Sequence, residues 1–253
     1  MPDAPVEQIS PEEAMQNPKR GIGLCLSGGG YRAMVFHVGA IWRLHQTGLL
    51  AKVNRISSVS GGSITAGVLA LKWKDVSSEC AHSSSSFIRA VVDPIRALAS
   101  ETIDAGAVIL GIALPGRISD RVAAAYKRHL FGDATLQDLP DEPRFVINAT
   151  NVQSGALWRF MKPYMRDYRV GEVKQPIIPL AQAVAASSAF APILSPFEMR
   201  LDPKTFTENS GQDLQRPPFT SKVLLTDGGV YDNLGLETVW KRYDTVLVSD
   251  GGA

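Results

Sequence analysis

Cysteine is scarce in this chain. Cys25 and Cys80 are its two in 253 residues, which excludes the disulfide framework of a small secreted domain and suits a reducing compartment. Excess charge of either sign is missing as well: 26 Lys and Arg stand against 25 Asp and Glu, a net charge of +1. Without a global positive field nothing gathers nucleic acid, and no such partner is expected. Nor is there a long hydrophobic run. No stretch reaches the ~18 consecutive apolar residues of a bilayer-spanning segment, and the polar opening MPDAPVEQISPEEAMQ lacks the apolar centre of a secretory signal. Together these absences predict a cytoplasmic location. His, Cys, Asp and Glu nowhere fall at metal-ligand spacing, so no metal centre is expected.

What is present suits one large α/β domain, since 45% of the residues are hydrophobic. Residues 1–20 form a lead-in, in which Ser10, Pro11 and Glu13 predict a short helix over 11–16. Residues 21–253 form the domain proper. The apolar run 22–26 has no polar alternation, as expected of a parallel strand buried on both faces. Gly28-Gly29-Gly30 ends it, and a helical period follows over 31–48, with Val35, Val38, Ile41, Trp42 and Leu44 as the stripe and Gly48 as the cap. The pattern repeats in kind: a strand over 53–59, a Gly61-Gly62 turn, and a helix over 63–73. Two such units predict a mostly parallel sheet covered by helices.

Beyond them lie a Ser-rich connection at 75–86 and an inserted helical region at 87–131, broken at Pro115-Gly116. Strands are expected over 144–150, 156–161, 223–225 and 245–248, and an Ala-rich helix over 180–191 that stops before Pro192. The polar, Pro-rich residues 200–220 support no assignment. The chain stops at Asp250-Gly251-Gly252-Ala253, directly after a strand. That ending predicts a natural protein that continues.

Three segments carry chemistry. Ser58-Val59-Ser60-Gly61-Gly62 has the form of a nucleophile elbow, a sharp strand-to-helix turn that needs small residues two before and two after the serine. Gly62 meets that need, and Ser58 stands where glycine is usual. Gly28-Gly29-Gly30 leaves backbone N–H groups free to face an anion. A phosphate-binding loop would end in Gly-Lys-Ser/Thr, and a dinucleotide loop needs spaced glycines with an acidic residue ~20 positions on. Tyr31-Arg32-Ala33 and Asn54-Arg55-Ile56 supply neither, which favours an oxyanion hole. Asp227-Gly228-Gly229 follows a strand directly, and a carboxylate at the C-terminal end of a parallel strand belongs on the edge where Ser60 and the glycine loop lie.

In that order the Gly28–Arg32 block, the Ser60 elbow and Asp227-Gly228-Gly229 resemble the blocks of patatin-like phospholipases, over residues 21 to 250. Leu136-Gln137-Asp138-Leu139-Pro140, the segment from Ala185 to Pro192, and Tyr231-Asp232-Asn233 add to the likeness, while Ser58 and Ala33 depart from it. The resemblance implies a three-layer α/β/α fold and cleavage of fatty-acyl esters, usually of phospholipids or lysophospholipids, by a Ser60–Asp227 dyad without a catalytic histidine. Gly28, Gly29, Gly30 and Gly61 are then expected to hold the oxyanion, and no cofactor is required. The expected partner is a lipid or acyl ester, met at a membrane or micelle surface.

Several readings stay open at this stage. Asp250 also precedes two glycines, and four histidines (37, 45, 82 and 129) occur. Asp227 is preferred for its Gly-Gly-Val-Tyr-Asp-Asn context. Arg32 either contacts a lipid phosphate or lies in a buried salt bridge. The apolar residues 103–114, beside Arg117, Arg121, Lys127 and Arg128, read either as an interfacial lid or as a core helix. The same dyad would serve a neutral-lipid esterase, a short-chain esterase or a thioesterase. A catalytically silent lipid-binding module is the alternative outside enzymes.

Overall fold

The computed structural model describes residues 18–77, 85–100 and 117–252. The expected helix at 11–16, most of the Ser-rich connection and the apolar residues 103–114 lie outside these.

Four parallel strands form one end of the described sheet. β1 (Lys19–Leu26) pairs with β2 (Val53–Val59) on one side and β9 (Tyr243–Ser249) on the other, and β2 pairs with β3 (Arg144–Asn151). Leu24, Cys25 and Leu26 are buried, as the unalternating apolar run requires. Past β3 the sheet turns antiparallel through β4 (Ala156–Phe160), β5 (Tyr164–Asp167) and β6 (Gly171–Lys174). Two further strands, β7 (Phe197–Arg200) and β8 (Lys222–Asp227), pair with each other, and β8 pairs with β3.

The β3 contacts position the site. β4 occupies one edge of β3, and β2 and β8 share the other. β2 takes the first part, up to the pair Val59–Asn148, and β8 takes the rest, from Asn151–Leu225 to Ala149–Asp227. Strands β2 and β8 therefore meet head to head. The chain leaving Val59 and the chain leaving Asp227 converge on one spot.

Helices α1 (Gly30–Gln46) and α2 (Gly61–Leu71) follow β1 and β2 directly. α1 buries Ala33, Met34, His37, Val38, Ile41 and His45 at helical spacing. Val35, expected on that stripe, is 45% exposed. The buried face is rotated by about one residue from the expected stripe, with the His37 ring turned inward to Ser27 and Ser249 at the sheet end. Gly48 closes α1 at φ +70°, with its N–H on His45 O at 3.0 Å. α2 is buried on every side from Gly61 to Ala70. It starts two residues before the expected position because the elbow runs straight into it.

A short α3 (Trp73–Ser77) enters the expected linker. The described parts of the inserted region are helical: α4 (Asp93–Ser100), α5 (Arg117–Tyr126), and the wider π turns Ile88–Val92 and Lys127–Phe131. α6 (Leu180–Ser187) stops four residues short of the expected end. There the chain turns out of the helix so that Ser187 O and Ala189 O accept the Gly228 and Asp227 N–H groups.

Helices α1, α2 and α6 pack on one face of the sheet. The opposite face is covered over β3 by α7 (Gly229–Asp232), and over β1 and β2 by the chain that follows it. Thr238 Oγ1 donates to Ser57 Oγ at 2.8 Å, and a Cβ on Gly23 would lie 2.0 Å from Val239 Cγ1. These make the third layer. Cys25 lies inside it, and burial pushes its thiol up to about 12.

Candidate active site

Ser60 occupies the turn between β2 and α2 at φ 51° and ψ −119°. An L-residue adopts such a conformation at a cost of about 1–3 kcal/mol, and does so where the surroundings enforce it. The turn demands small neighbours. A Cβ on Gly62 would stand 2.6 Å from Leu26 O, and one on Gly61 2.1 Å from Gly30 O. Ser58 is buried, and its hydroxyl donates to Val146 O at 3.2 Å while Ser63 Oγ lies 3.0 Å away. The departure from glycine is thus accommodated by a satisfied hydroxyl.

Asp227 is 6% exposed at the end of β8. The expectation of a parallel strand end is corrected: β8 runs antiparallel to β3 and delivers the carboxylate to the elbow from the opposite direction. Burial raises the Asp227 carboxyl above its ordinary range, against hydrogen bonding from the Ser60 hydroxyl and the Gly229 N–H. The Gly229 N–H meets Oδ1 at 2.7 Å. Tyr126, fully buried nearby, is held protonated, mainly by burial.

The glycine loop lies against the serine. A Cβ on Gly28 would stand 3.3 Å from Ser60 Cβ. Gly29 and Gly30 have φ of +129° and +66°, open to glycine and not to other residues without strain. One expectation narrows here. The Gly28 N–H is already committed to Asn233 O at 2.9 Å, leaving it no hydrogen for an oxyanion. Among the described residues no acceptor meets the N–H groups of Gly29, Gly30 or Gly61. Gly30 and Gly61 each begin a helix, whose first N–H groups have no partner within it.

The rival residues separate cleanly. Asp250 is exposed at the end of β9, two strands from the elbow, and its Oδ1 accepts the Gly252 N–H at 2.9 Å. His37 is buried with both ring nitrogens occupied: Nε2 donates to Ser27 O at 2.9 Å, which leaves Nδ1 to accept from Ser249 Oγ at 2.8 Å. Burial lowers its pKa, so it stays neutral. His45 stacks on Phe87, and His129 is exposed. His82 lies outside the described residues. Arg32 is exposed, with Nη2 on Gly252 O at 3.4 Å, and so is not in a buried salt bridge. Among the described residues no group of three His, Cys, Asp or Glu is gathered to hold a metal.

A family profile described as patatin-like phospholipase matches residues 24–240. The chain belongs to the patatin-like phospholipase family. Among solved structures, human GIVD cytosolic phospholipase A2 in complex with methyl gamma-linolenyl fluorophosphonate inhibitor and terbium chloride superposes with a TM-score of 0.55 at 16% identity. It covers 96% of this patatin-like chain and 42% of its own. A second structure of that human protein gives 0.53 at 14% identity, over 96% and 44%. VipD from Legionella pneumophila gives 0.41 at 18% identity, over 86% and 47%. The chain spans less than half the length of each, and at these identities the likeness to the human protein is one of fold. No curated protein sequence matches significantly.

Proposed function

We propose that this patatin-like chain hydrolyses fatty-acyl esters of phospholipids or lysophospholipids, with Ser60 as nucleophile and Asp227 as base. The observation that carries the reading is the head-to-head meeting of β2 and β8, which sets a strained, small-flanked serine against a buried carboxylate. Ser60 Oγ attacks the acyl carbonyl while its proton passes to Asp227. The Gly29, Gly30 and Gly61 N–H groups are the donors available to the oxyanion. The protonated Asp227 returns the proton to the departing alcohol. Water then attacks the acyl-enzyme and loses its proton to Asp227, which passes it to the departing Ser60 Oγ as the fatty acid leaves. Elevation of Asp227 by burial makes it a better base than an exposed aspartate.

Exposed apolar residues near the dyad support a membrane or micelle surface as the place of reaction. Phe190 is 61% exposed, Ile193 46% and Val230 64%. Phe190 follows Ala189, whose carbonyl accepts the Asp227 N–H, and Val230 lies three residues past Asp227. Among the described residues no helix is long and apolar enough to cross a membrane, and we place the protein in the cytoplasm, docking peripherally. The test is the purified protein on a panel of phospholipid and p-nitrophenyl esters beside Ser60→Ala. Loss of all hydrolysis in the variant is expected. Hydrolysis that survives it would refute the mechanism, and activity confined to p-nitrophenyl esters would make the chain a short-chain esterase.

A further inference from the structure

The nucleophile and the base stand on different strands, 167 positions apart in sequence (227 − 60), yet both are fastened to the end of α6. Ser187 Oγ accepts the N–H of Ser60 at 3.0 Å. Ser187 O accepts the N–H of Gly228 at 3.1 Å, and Ala189 O accepts the N–H of Asp227 at 3.0 Å. Thr226 Oγ1 also donates to Ala189 O, at 3.0 Å. The backbone N–H groups of both strand ends are thus referred to the same two residues, Ser187 and Ala189.

Hydrogen accounting shows which group does the holding. Ser187 has one hydroxyl hydrogen, and the Asn148 carbonyl oxygen takes it at 2.6 Å. A lone pair is then turned toward the Ser60 N–H, and Ser63 Oγ, whose hydrogen goes to Ser58 Oγ, lies 2.9 Å away. Asn148 is the β3 residue paired with Val59 and adjacent to the partner of Asp227, so Ser187 reads the junction of β2 and β8 directly.

Ser188 shows what a serine at a helix end does by default. Its Oγ donates back to Val184 O at 2.9 Å, within its own helix. Ser187 forgoes that local bond for partners 39 and 127 positions away. Ser60 meanwhile holds a positive φ, and among the described residues the acceptor for its N–H is Ser187 Oγ.

We infer that Ser187 is a positioning residue: its hydroxyl holds the Ser60 elbow in register with Asp227. It touches no substrate, and the inference rests on Ser60 being the nucleophile. Losing the acceptor frees the elbow, and a displacement of order 1 Å at a reacting atom costs about 100-fold in rate.

The experiment compares wild type, Ser187→Ala, Ser187→Cys and Ser188→Ala. Three quantities are read: the rate of fluorophosphonate labelling, kcat and KM on one ester, and amide hydrogen exchange over residues 57–66. In Ser187→Ala, labelling and kcat are expected to fall about 10- to 100-fold together, with KM within twofold and faster exchange at Ser60. Ser187→Cys, which keeps the volume and a weak acceptor, falls between; it also serves if the alanine variant does not fold. Ser188→Ala keeps wild-type labelling. Wild-type kcat and labelling in a folded Ser187→Ala would overturn the inference, as would an equal loss in Ser188→Ala. If wild type itself is not labelled at Ser60, the nucleophile reading fails first. Exchange at the Ser60 amide then still decides whether Ser187 holds the elbow, and unchanged exchange in Ser187→Ala would sink it.

Discussion

Gly28 donates its N–H to the carbonyl oxygen of Asn233 at 2.9 Å, which ties the glycine loop to the turn that follows Asp227. The two segments lie 205 positions apart (233 − 28), and this bond makes one rim of them. The rim is close-packed at some glycines and open at others, which gives a graded test. A Cβ on Gly61 would stand 2.1 Å from backbone Gly30 O, which cannot step aside. Gly30 has φ +66° and nothing within 4 Å of a Cβ. Gly61→Ala is therefore expected to cost more than about 3 kcal/mol of stability or to prevent folding. Gly30→Ala is expected to cost about 1–2 kcal/mol, from backbone strain alone. Denaturant unfolding checks the order, and a Gly61→Ala as stable as Gly30→Ala would contradict the packing of the rim.

Asp227 links chemistry to stability with a definite sign. Burial raises its carboxyl above the ordinary range near 4. The folded state thus holds this proton more tightly than the unfolded chain. That advantage is fully present below the unfolded pKa and is lost as pH rises through the folded one. At neutral pH the buried carboxylate is a net cost to folding. Asp227→Asn, which keeps an oxygen for the Gly229 N–H, is expected to raise Tm at pH 7, with the gain closing as pH falls. It should also lower kcat by about 10³-fold or more. In wild type the acid limb of kcat should lie above the usual carboxylate range. A Tm for Asp227→Asn below wild type at pH 7 would show that the charge is stabilised where it stands.

Ser58 offers a separation of stability from activity. Its hydroxyl is buried and bonds Val146 O and Ser63 Oγ, with no contact to the Ser60 N–H. Ser58→Gly restores the glycine usual in an elbow and removes two buried hydrogen bonds. A loss of about 1–2 kcal/mol is expected, with kcat within about threefold because Ser187 still holds the elbow. Urea unfolding beside steady-state kinetics decides it. A large loss of kcat at unchanged stability would mean that Ser58 acts on the nucleophile.

Much of this site was legible in the sequence, and the limits have physical causes. β1 shows as an apolar run because its end is buried on both faces, and glycines follow β1, β2 and β9, although β9 is exposed or half-buried along its length. β5 (Tyr-Met-Arg-Asp), β6 (Gly-Glu-Val-Lys) and β7 (Phe-Glu-Met-Arg) are four residues each, with two charges adjacent in β5 and alternate in β6 and β7. Four residues are too few for a period to stand out in the sequence, and it is the edge that neighbours offer them that makes them strands. The direction of β8 was hidden for a related reason. Which half of β3 a strand adopts is tertiary, so Asp227 was assigned to the wrong kind of strand. Ser187 left only a faint mark, two serines at the end of an alanine-rich helix. The hydrogen-bond partners that distinguish it from Ser188 are remote in sequence.

Arg32 is the remaining charge at the loop, two residues past Gly30 and exposed. Its one hydrogen bond, to Gly252 O at 3.4 Å, is long, and among the described residues no carboxylate pairs with it. A guanidinium held so loosely contributes little to folding, and Arg32→Ala is expected to change stability by less than about 0.5 kcal/mol. Its planar fork suits a phosphate oxygen pair. If it meets the head group of a bound phospholipid, Arg32→Ala lowers kcat/KM on that substrate about 10-fold at low salt. The gap then narrows as salt rises past about 0.1 M, where screening acts within ~10 Å. Hydrolysis of an uncharged p-nitrophenyl ester should not change. Equal losses on both substrates, with no dependence on salt, would instead assign Arg32 to shaping the glycine loop through Gly252.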